Sequence, residues 1–242
     1  MALESLQKRY LHLKECFEKE AKREGNVYLP SIQPPIPVDF VFIGMEPSLG
    51  RWAKTQEEAK EKIEQGFKDF ALSIEDFILH YCIRNYLCRS DNYYVTNLSK
   101  GAMHVEKANE QRNKRYERWY PLLVDELKVV SKDSTQLIAI GKSVQAFLEK
   151  NMDRNIHSIL HYSPQAAKYR GKYIQGRESE FEEFSKNIEI ENILDTAVAV
   201  IQECQMSEQL SCEILGRLWK RRLSVSQKRL IFDYKTKFEM LR

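Results

Sequence analysis

Four polar side chains of different chemistry each follow an apolar run of the sequence: Glu46, Asn97, Lys142 and His161. A carboxylate can face developing positive charge, whereas amide, ammonium and imidazole groups can donate hydrogen bonds to developing negative charge. In open α/β sheets, ligands bind beyond the carboxyl ends of the strands. If the four runs are neighbouring parallel strands, their polar ends form one site.

The apolar runs have the length and composition of strands that are buried on both faces. They cover residues 39–44, 92–98, 136–140 and 158–161. The segments between them are long enough for the dozen or more residues that a parallel crossover needs. We therefore predict an α/β fold, a three-layer α/β/α sandwich around a central four-stranded parallel sheet.

Most other segments show apolar residues at helical spacing. They predict helices at 3–24, 53–65, 73–87, 121–130, 143–150 and 193–201. Two amphipathic helices are expected within 213–242, the second capped by Ser224 or Ser226. Four prolines predict an extended connector at 28–38, and polar residues a turn at 132–134. We expect a single domain with an N-terminal helix at 1–26, a core at 38–173 and a helical C-terminal extension at 177–242.

Composition argues against several classes of protein. The 242 residues are 43% hydrophobic with a formal net charge of +3, so any nucleic-acid binding must come from local patches. The five cysteines are scattered and include no CxxC pair, which argues against a disulfide framework or a zinc site. No apolar run approaches a membrane span, and no signal peptide is recognisable. We expect a soluble, cytoplasmic monomer without a metal ion or cofactor.

Two short patterns invite other interpretations, and neither holds. The sequence Gly141-Lys142-Ser143 resembles the end of a phosphate-binding P-loop, but Gln136 stands where that pattern requires a glycine. His157 and His161 have the spacing of helical metal ligands, yet the apolar residues between them favour a strand, on which this spacing is too long.

Taken together, the residues at the four run ends resemble the motifs of the uracil-DNA glycosylase superfamily. The resemblance covers about residues 38–173, with the motifs in the expected order and spacing. They are Gly44-Met45-Glu46-Pro47, Tyr94-Val95-Thr96-Asn97, Ile138-Ala139-Ile140-Gly141-Lys142 and His161-Tyr162-Ser163-Pro164. One short motif alone would be weak evidence for the superfamily, whereas four motifs in order are specific evidence for it.

The resemblance implies a catalytic role for two residues and a base-binding role for others. Glu46 matches the acid that orients water and stabilises the sugar cation, and His161 the histidine that stabilises charge on the departing base. Asn97 matches the amide that reads the edge of the base. The target base is flipped from the duplex and stacked on an aromatic ring. Phe70 is the candidate ring, with Phe67 as second choice.

The same comparison bears on which base is accepted. Ser48, beside the base together with Met45, stands where the classical uracil enzymes carry a tyrosine that excludes bases substituted at C5. A small residue leaves that space open, which favours oxidised or hydroxymethylated pyrimidines and the glucosylated cytosines of phage DNA. Tyr162 departs from the family, where a proline follows the histidine, and the approach of the recognition loop could differ.

The expected partner is DNA, either a duplex with a flipped base or a single strand. Phosphate or duplex contacts are assigned to Ser163, Gln165, Lys168, Arg170 and Lys142. Two basic segments could add contacts that do not depend on sequence, one around Arg112–Trp119 and one in the C-terminal helices. The function predicted is a monofunctional DNA glycosylase, with a possible role in anti-phage defence. Ordinary uracil repair and a non-catalytic module that binds modified DNA are the alternatives.

Each site residue also has an ordinary interpretation that the sequence leaves open. Glu46 could be a solvated loop carboxylate or a helix cap, and Asn97 an end-of-strand amide. His161 could be a core histidine with satisfied hydrogen bonds.

Overall fold

The computed structural model describes residues 3–34, 37–50 and 52–242. Residues 35 and 36 of the predicted connector, and residues 1 and 2 of the predicted N-terminal segment 1–26, lie outside that description. The chain divides into two compact units. The first comprises Met1–Asp69 and Asp91–Ser158, and the second Phe70–Ser90 and Ile159–Arg242.

A four-stranded parallel sheet forms the centre of the first unit. Its strands are β2 (Val38–Gly44), β3 (Tyr93–Asn97), β5 (Ser131–Ile140) and β6 (Ile156–Ile159). They are arranged in the order β3-β2-β5-β6. Two further strands of two residues each, β1 (Val27–Tyr28) and β4 (Gly101–Ala102), form a separate antiparallel sheet. The predicted α/β class with four parallel strands is confirmed. This arrangement is consistent with a three-layer sandwich, while its likeness to uracil-DNA glycosylases stays a prediction.

Five helices belong to the first unit: α1 (Leu3–Arg23), α2 (Gln56–Glu64), α4 (Val105–Ala108), α5 (Arg112–Val130) and α6 (Lys142–Asn151). The apolar faces of α1, α5 and α6 pack with the sheet in one core, in which Phe17, Trp119 and Leu148 are completely buried. Burial of these faces is the main term that stabilises the unit.

Two boundaries differ from the predicted ones around α5 and β5. The predicted helix began at Pro121, but α5 begins nine residues earlier and contains this proline on its exposed face. Proline favours the first helical position, and that preference misplaced the start. The predicted turn at 132–134 is part of β5, beside an irregularity in its pairing with β2. There Thr135 donates a hydrogen bond to the Val38 carbonyl at 2.5 Å, so the neighbouring strand overrides the local turn signal.

The last strand also begins and ends earlier than predicted. It was placed at 158–161 but covers Ile156–Ile159. His161 therefore lies beyond the strand, in the segment that leads to a short 3-10 helix at Pro164–Tyr169. The buried residues of β6 are its two isoleucines, three positions apart, and this irregular pattern explains the error.

The second unit is helical. It contains α3 (Ile74–Tyr86), α7 (Glu178–Asn187), α8 (Ile190–Glu203), α9 (Glu208–Trp219) and α10 (Val225–Glu239), besides the 3-10 helix. The apolar helix α3 packs against α8 and α10. Ser224 forms a capping box with Gln227 at the start of α10, which confirms one of the two predicted caps.

Candidate functional site

The loops after β2 and β3 adjoin each other at the carboxyl ends of these strands. Gly44 is opposite Asn97 in the parallel register. Beyond it, the Ser99 amide donates to the Met45 carbonyl at 3.0 Å. The loop that carries Glu46 and the loop that carries Asn97 are thus held together by backbone hydrogen bonds.

Glu46 is a buried carboxylate with partners on α5. Its side chain is only 5% exposed, and one oxygen lies 2.7 Å from the Arg112 guanidinium. The other oxygen accepts a hydrogen bond from the Tyr116 hydroxyl at 2.8 Å and lies 3.5 Å from Arg115. A solvated loop carboxylate is therefore the wrong interpretation of Glu46. Each carboxylate oxygen accepts up to two hydrogen bonds, so these partners leave acceptor capacity for a ligand or water.

Tyr116 remains a hydrogen-bond donor to this carboxylate. Burial raises the pKa of its hydroxyl well above the ordinary value, and the nearby negative charge of Glu46 adds to that effect. The proton therefore stays on Tyr116 at any physiological pH.

Asn97 is oriented by an acidic residue that the sequence did not single out. The Asn97 side chain is buried, and its amide nitrogen donates to the Asp69 carboxylate at 2.5 Å. Asp69 is itself held through its backbone, whose amide donates to the Pro30 carbonyl at 2.9 Å. The carboxylate fixes the nitrogen side of the amide, so the amide oxygen is turned away from Asp69. Asp69 lies 28 positions before Asn97 with no local pattern, and only the fold reveals the contact.

A buried ion pair supports the backbone at Asn97. Lys100 and Glu126 lie 2.8 Å apart, and their side chains are 3% and 1% exposed. The Lys100 ammonium also donates to the Asn97 carbonyl and to Thr96, each at 2.8 Å. The Tyr94 hydroxyl donates to Glu126 at 2.8 Å. Every polar group of this network thus has a partner, as burial requires.

The sequence did carry a signal for this pair. Glu126 occupies the apolar stripe of α5, between the buried residues Leu123 and Val130. An acidic residue in such a stripe needs a buried cation as partner.

The other predicted site residues of the first unit have unlike surroundings. Met45 is half-buried against the core. The Ser48 hydroxyl is buried and has no hydrogen-bond partner among the described residues. Lys142 is exposed at the first position of α6. The open space expected beside Ser48 stays a prediction.

His161 is half-buried, and its Nδ1 accepts a hydrogen bond from the Ser163 amide at 3.0 Å. In the neutral ring the proton must then be on Nε2, which makes that nitrogen a donor. Ser163 was predicted to bind a phosphate through both its hydroxyl and its backbone amide, and this contact occupies the amide. That part of the prediction does not fit the structure, and the Ser163 hydroxyl remains the candidate.

Apart from Lys142, the residues predicted to contact DNA lie in or next to the 3-10 helix. Gln165 and Lys168 are exposed, and the Lys168 ammonium lies 5.0 Å from the centre of the Tyr169 ring. Arg170 donates to Ser226 at 3.0 Å and to the Tyr162 carbonyl. Arg170 therefore supports the local fold, and its role in phosphate binding stays a prediction.

Phe70, the candidate stacking ring, has a constrained backbone. Its φ is 59°, which is uncommon for a bulky residue. The His80 Nε2 donates to its carbonyl at 3.0 Å. Burial and the neighbouring Arg84 lower the pKa of His80 to about 3, so the imidazole is neutral. The second choice, Phe67, is 2% exposed and packs on Trp52 at 4.5 Å between ring centres.

The basic segment around Arg112–Trp119 is only in part the surface patch that its composition suggested, since Lys114 is exposed and Arg118 is 45% exposed. Arg112 and Arg115 pair with Glu46, and Arg118 lies 2.7 Å from Glu24. The aromatic side chains of the segment, Tyr116 and Trp119, are buried in the core. In the free protein, several side chains of this segment therefore have partners within the protein.

No protein-family model matches the chain, and no curated protein matches it in sequence. Among the described residues, no group of three or more His, Cys, Asp or Glu side chains is arranged to hold a metal ion. No helix in the described ranges is long and apolar enough to cross a membrane.

The Lys100–Glu126 pair predicts a strong coupling in stability. Replacing Lys100 by Met leaves an unpaired buried carboxylate, and we expect a loss of about 3–5 kcal/mol in the free energy of unfolding. The double variant Lys100→Met/Glu126→Gln should be more stable than this single variant, because no charge is left unpaired. Urea unfolding of the wild type, the two single variants Lys100→Met and Glu126→Gln, and the double variant measures the coupling.

Lys128→Met on the same helix is the control, since Lys128 forms an exposed ion pair with Asp125. It should cost less than about 1 kcal/mol. If the destabilising effects of Lys100→Met and Glu126→Gln simply add, the two side chains are not coupled as described.

His80 predicts a loss of stability in acid. Its pKa is about 3 in the folded protein against 6.5 ordinarily, so between these values the unfolded chain binds a proton that the folded chain excludes. Stability therefore falls as pH is lowered through this window, with His80 contributing about 1.4 kcal/mol per pH unit. Denaturant unfolding between pH 7 and 4 should show a shallower pH dependence for His80→Gln.

The exposed His12 provides the control, with a side chain that is 76% exposed. His12→Gln should leave the pH dependence as in the wild type. If the free energy of unfolding depends on pH equally steeply in the wild type and His80→Gln, the loss of stability in acid does not come from His80.

Proposed function

We propose that this protein is a monofunctional DNA glycosylase that excises a modified pyrimidine, with a cytosine derivative as the preferred base. One observation carries the proposal: a carboxylate and an amide, Glu46 and Asn97, stand on adjoining loops at the carboxyl ends of two paired parallel strands. This is where open α/β sheets bind ligands. The motifs around both residues resemble those of uracil-DNA glycosylases.

Hydrolysis of an N-glycosidic bond places positive charge on the sugar and negative charge on the base. Glu46 faces the sugar in this proposal. His161 donates from Nε2 to the base, a role that fits the hydrogen bond already made to its Nδ1. Since one backbone donor is used there, Ser163 contributes its hydroxyl to a phosphate.

Of the partners of Glu46, Arg112 is the one that can exchange the carboxylate for a DNA phosphate. Its side chain is 26% exposed, whereas that of Arg115 is 7% exposed. A phosphate offers the guanidinium the same bidentate geometry as a carboxylate. In the proposed complex Arg112 moves to the phosphate, and Tyr116 continues to hold Glu46.

The pairing of Asn97 with Asp69 favours cytosine derivatives. A cytosine presents an exocyclic amino group, a hydrogen-bond donor, where uracil presents a carbonyl oxygen. The Asp69 carboxylate and the amide oxygen of Asn97 are both acceptors, and acidic side chains accept from the cytosine amino group. Together with the small residue Ser48, this favours a 5-substituted cytosine, including the glucosylated base of phage DNA. A cytoplasmic defence against phage is the corresponding role.

A non-catalytic module that binds modified DNA is the second candidate. The observation in its favour is that both oxygens of Glu46 already have partners in the free protein, one of them the Arg112 cation. Such a module would still use Asn97 and Asp69 to recognise the base.

The enzyme proposal predicts that Glu46→Gln abolishes excision. We expect the wild-type protein to create alkali-labile abasic sites in duplexes that contain glucosylated or hydroxymethylated cytosine. Glu46→Gln should lower the rate about 100-fold to 1000-fold, the usual effect of removing one group that stabilises transition-state charge. Glu106→Gln, on the exposed side of α4, is the matched control and should react as the wild type does.

Duplex binding without abasic sites, unaffected by Glu46→Gln, would support the binding module and refute the enzyme. Excision of plain uracil alone would point to ordinary repair.

The position of Asp69 beside Asn97 predicts which of two bases with the same substituent the enzyme prefers. The wild type should act faster on 5-hydroxymethylcytosine than on 5-hydroxymethyluracil in otherwise identical duplexes. Asp69→Asn should lower that preference about ten-fold or more, because one correct base contact contributes about 1–3 kcal/mol of discrimination. Single-turnover rates on the two duplexes measure the ratio, with exposed Asp125→Asn as control. An unchanged ratio would remove Asp69 from base selection.

A further inference from the structure

The most exposed tryptophan of the protein ends helix α9. Trp219 is 71% exposed, whereas Trp52 and Trp119 are 4% and 0% exposed. The buried apolar stripe of α9 consists of Leu210, Ile214 and Leu218. Trp219 is therefore not part of the face through which this helix packs. A large indole left in water contributes little to folding, and aromatic side chains in such places are enriched at binding surfaces.

Three cations follow the indole directly. Lys220, Arg221 and Arg222 are exposed and lie between the end of α9 and the Ser224 cap of α10. Among the described residues none of the three forms an ion pair, whereas the neighbouring Arg217 pairs with Glu213. Their charges are therefore available to a polyanion. We call Trp219 and these three residues the Trp219 surface.

The chemistry of this surface fits a single-stranded nucleic acid. Unpaired bases stack on an exposed aromatic ring irrespective of sequence, while lysine and arginine bind the phosphates. In a duplex the base faces are already stacked on each other and cannot cover an indole. A membrane is a poorer match, since interfacial helices bury a whole apolar face and that of α9 is already buried within the protein.

We propose that the Trp219 surface binds single-stranded DNA, with one unpaired base stacked on Trp219 and the phosphates on Lys220, Arg221 and Arg222. This binding does not depend on the proposed excision of a base. It would give the second unit a DNA-binding surface of its own. The site needs no modified base, so unmodified DNA is sufficient to detect it.

The distribution of tryptophans provides a site-specific signal. Because the other two indoles are buried, a soluble quencher such as acrylamide should act mainly on Trp219. Addition of an unmodified oligothymidylate should quench the emission of Trp219 by stacking and protect it from acrylamide. Fluorescence anisotropy with a labelled oligonucleotide measures the affinity in parallel.

Two variants separate stacking from charge. Trp219→Ala should weaken binding about five-fold to a hundred-fold, the usual effect of losing one stacked base, and Trp219→Phe should restore most of it. Arg221→Glu/Arg222→Glu should also weaken binding and reduce its dependence on salt. Lys60→Glu/Lys150→Glu changes the net charge equally at exposed positions of the first unit and should have a smaller effect.

The results can refute the proposal in three ways. It is refuted if Trp219→Ala binds as tightly as the wild type, if duplex binds with equal or higher affinity through Trp219, or if the charge reversal acts no more strongly than its control. Binding to anionic phospholipid vesicles without binding to oligothymidylate would instead assign the surface to a membrane. Excision activity need not be present for any of these outcomes, so failure of the enzyme proposal is a separate result.

Discussion

The ion pair between Lys100 and Glu126 is the constraint on which the candidate site depends. Two charges that are 3% and 1% exposed have lost their hydration and can persist only with each other and with further hydrogen bonds. Those hydrogen bonds come from Tyr94, Thr96 and the carbonyl of Asn97, all on β3. The backbone at the end of this strand is therefore fixed by charge as well as by the sheet.

Helix α5 also fixes the loop after the neighbouring strand β2 through buried charged and hydrogen-bonded groups. Its first turns carry Arg112, Arg115 and Tyr116, which hold Glu46 after β2, and Glu126 lies further along the same helix. A single rigid element thus positions the polar ends of two paired strands. A buried ion pair is weak evidence for stability, since apolar residues of similar volume often do as well. These pairs are better explained by the geometry that they impose on Glu46 and Asn97.

Local patterns were sufficient for the sheet and insufficient for these contacts. The four apolar runs predicted four strands, because burial on both faces leaves a direct mark on composition. Glu46, by contrast, meets Arg112 and Tyr116 at separations of 66 and 70 residues. Nothing in either segment indicates its partner, and the arginines suggested a DNA-binding patch. The position of Asp69 beside Asn97 likewise follows only from tertiary structure.

If the protein is the proposed enzyme, the pairing of Glu46 with Arg112 would restrict its action to DNA. In the free protein the guanidinium groups of Arg112 and Arg115 both lie beside the carboxylate and offset its negative charge. A free nucleoside has no phosphate with which to draw Arg112 away, whereas a DNA strand supplies one beside every sugar. In the proposed enzyme, exchange of the Arg112 guanidinium from carboxylate to phosphate would remove one of these two cations from Glu46 when the substrate is in place. The same side chain would then contribute to DNA binding and release the charge that stabilises the sugar cation, which couples recognition of the polymer to excision of the base.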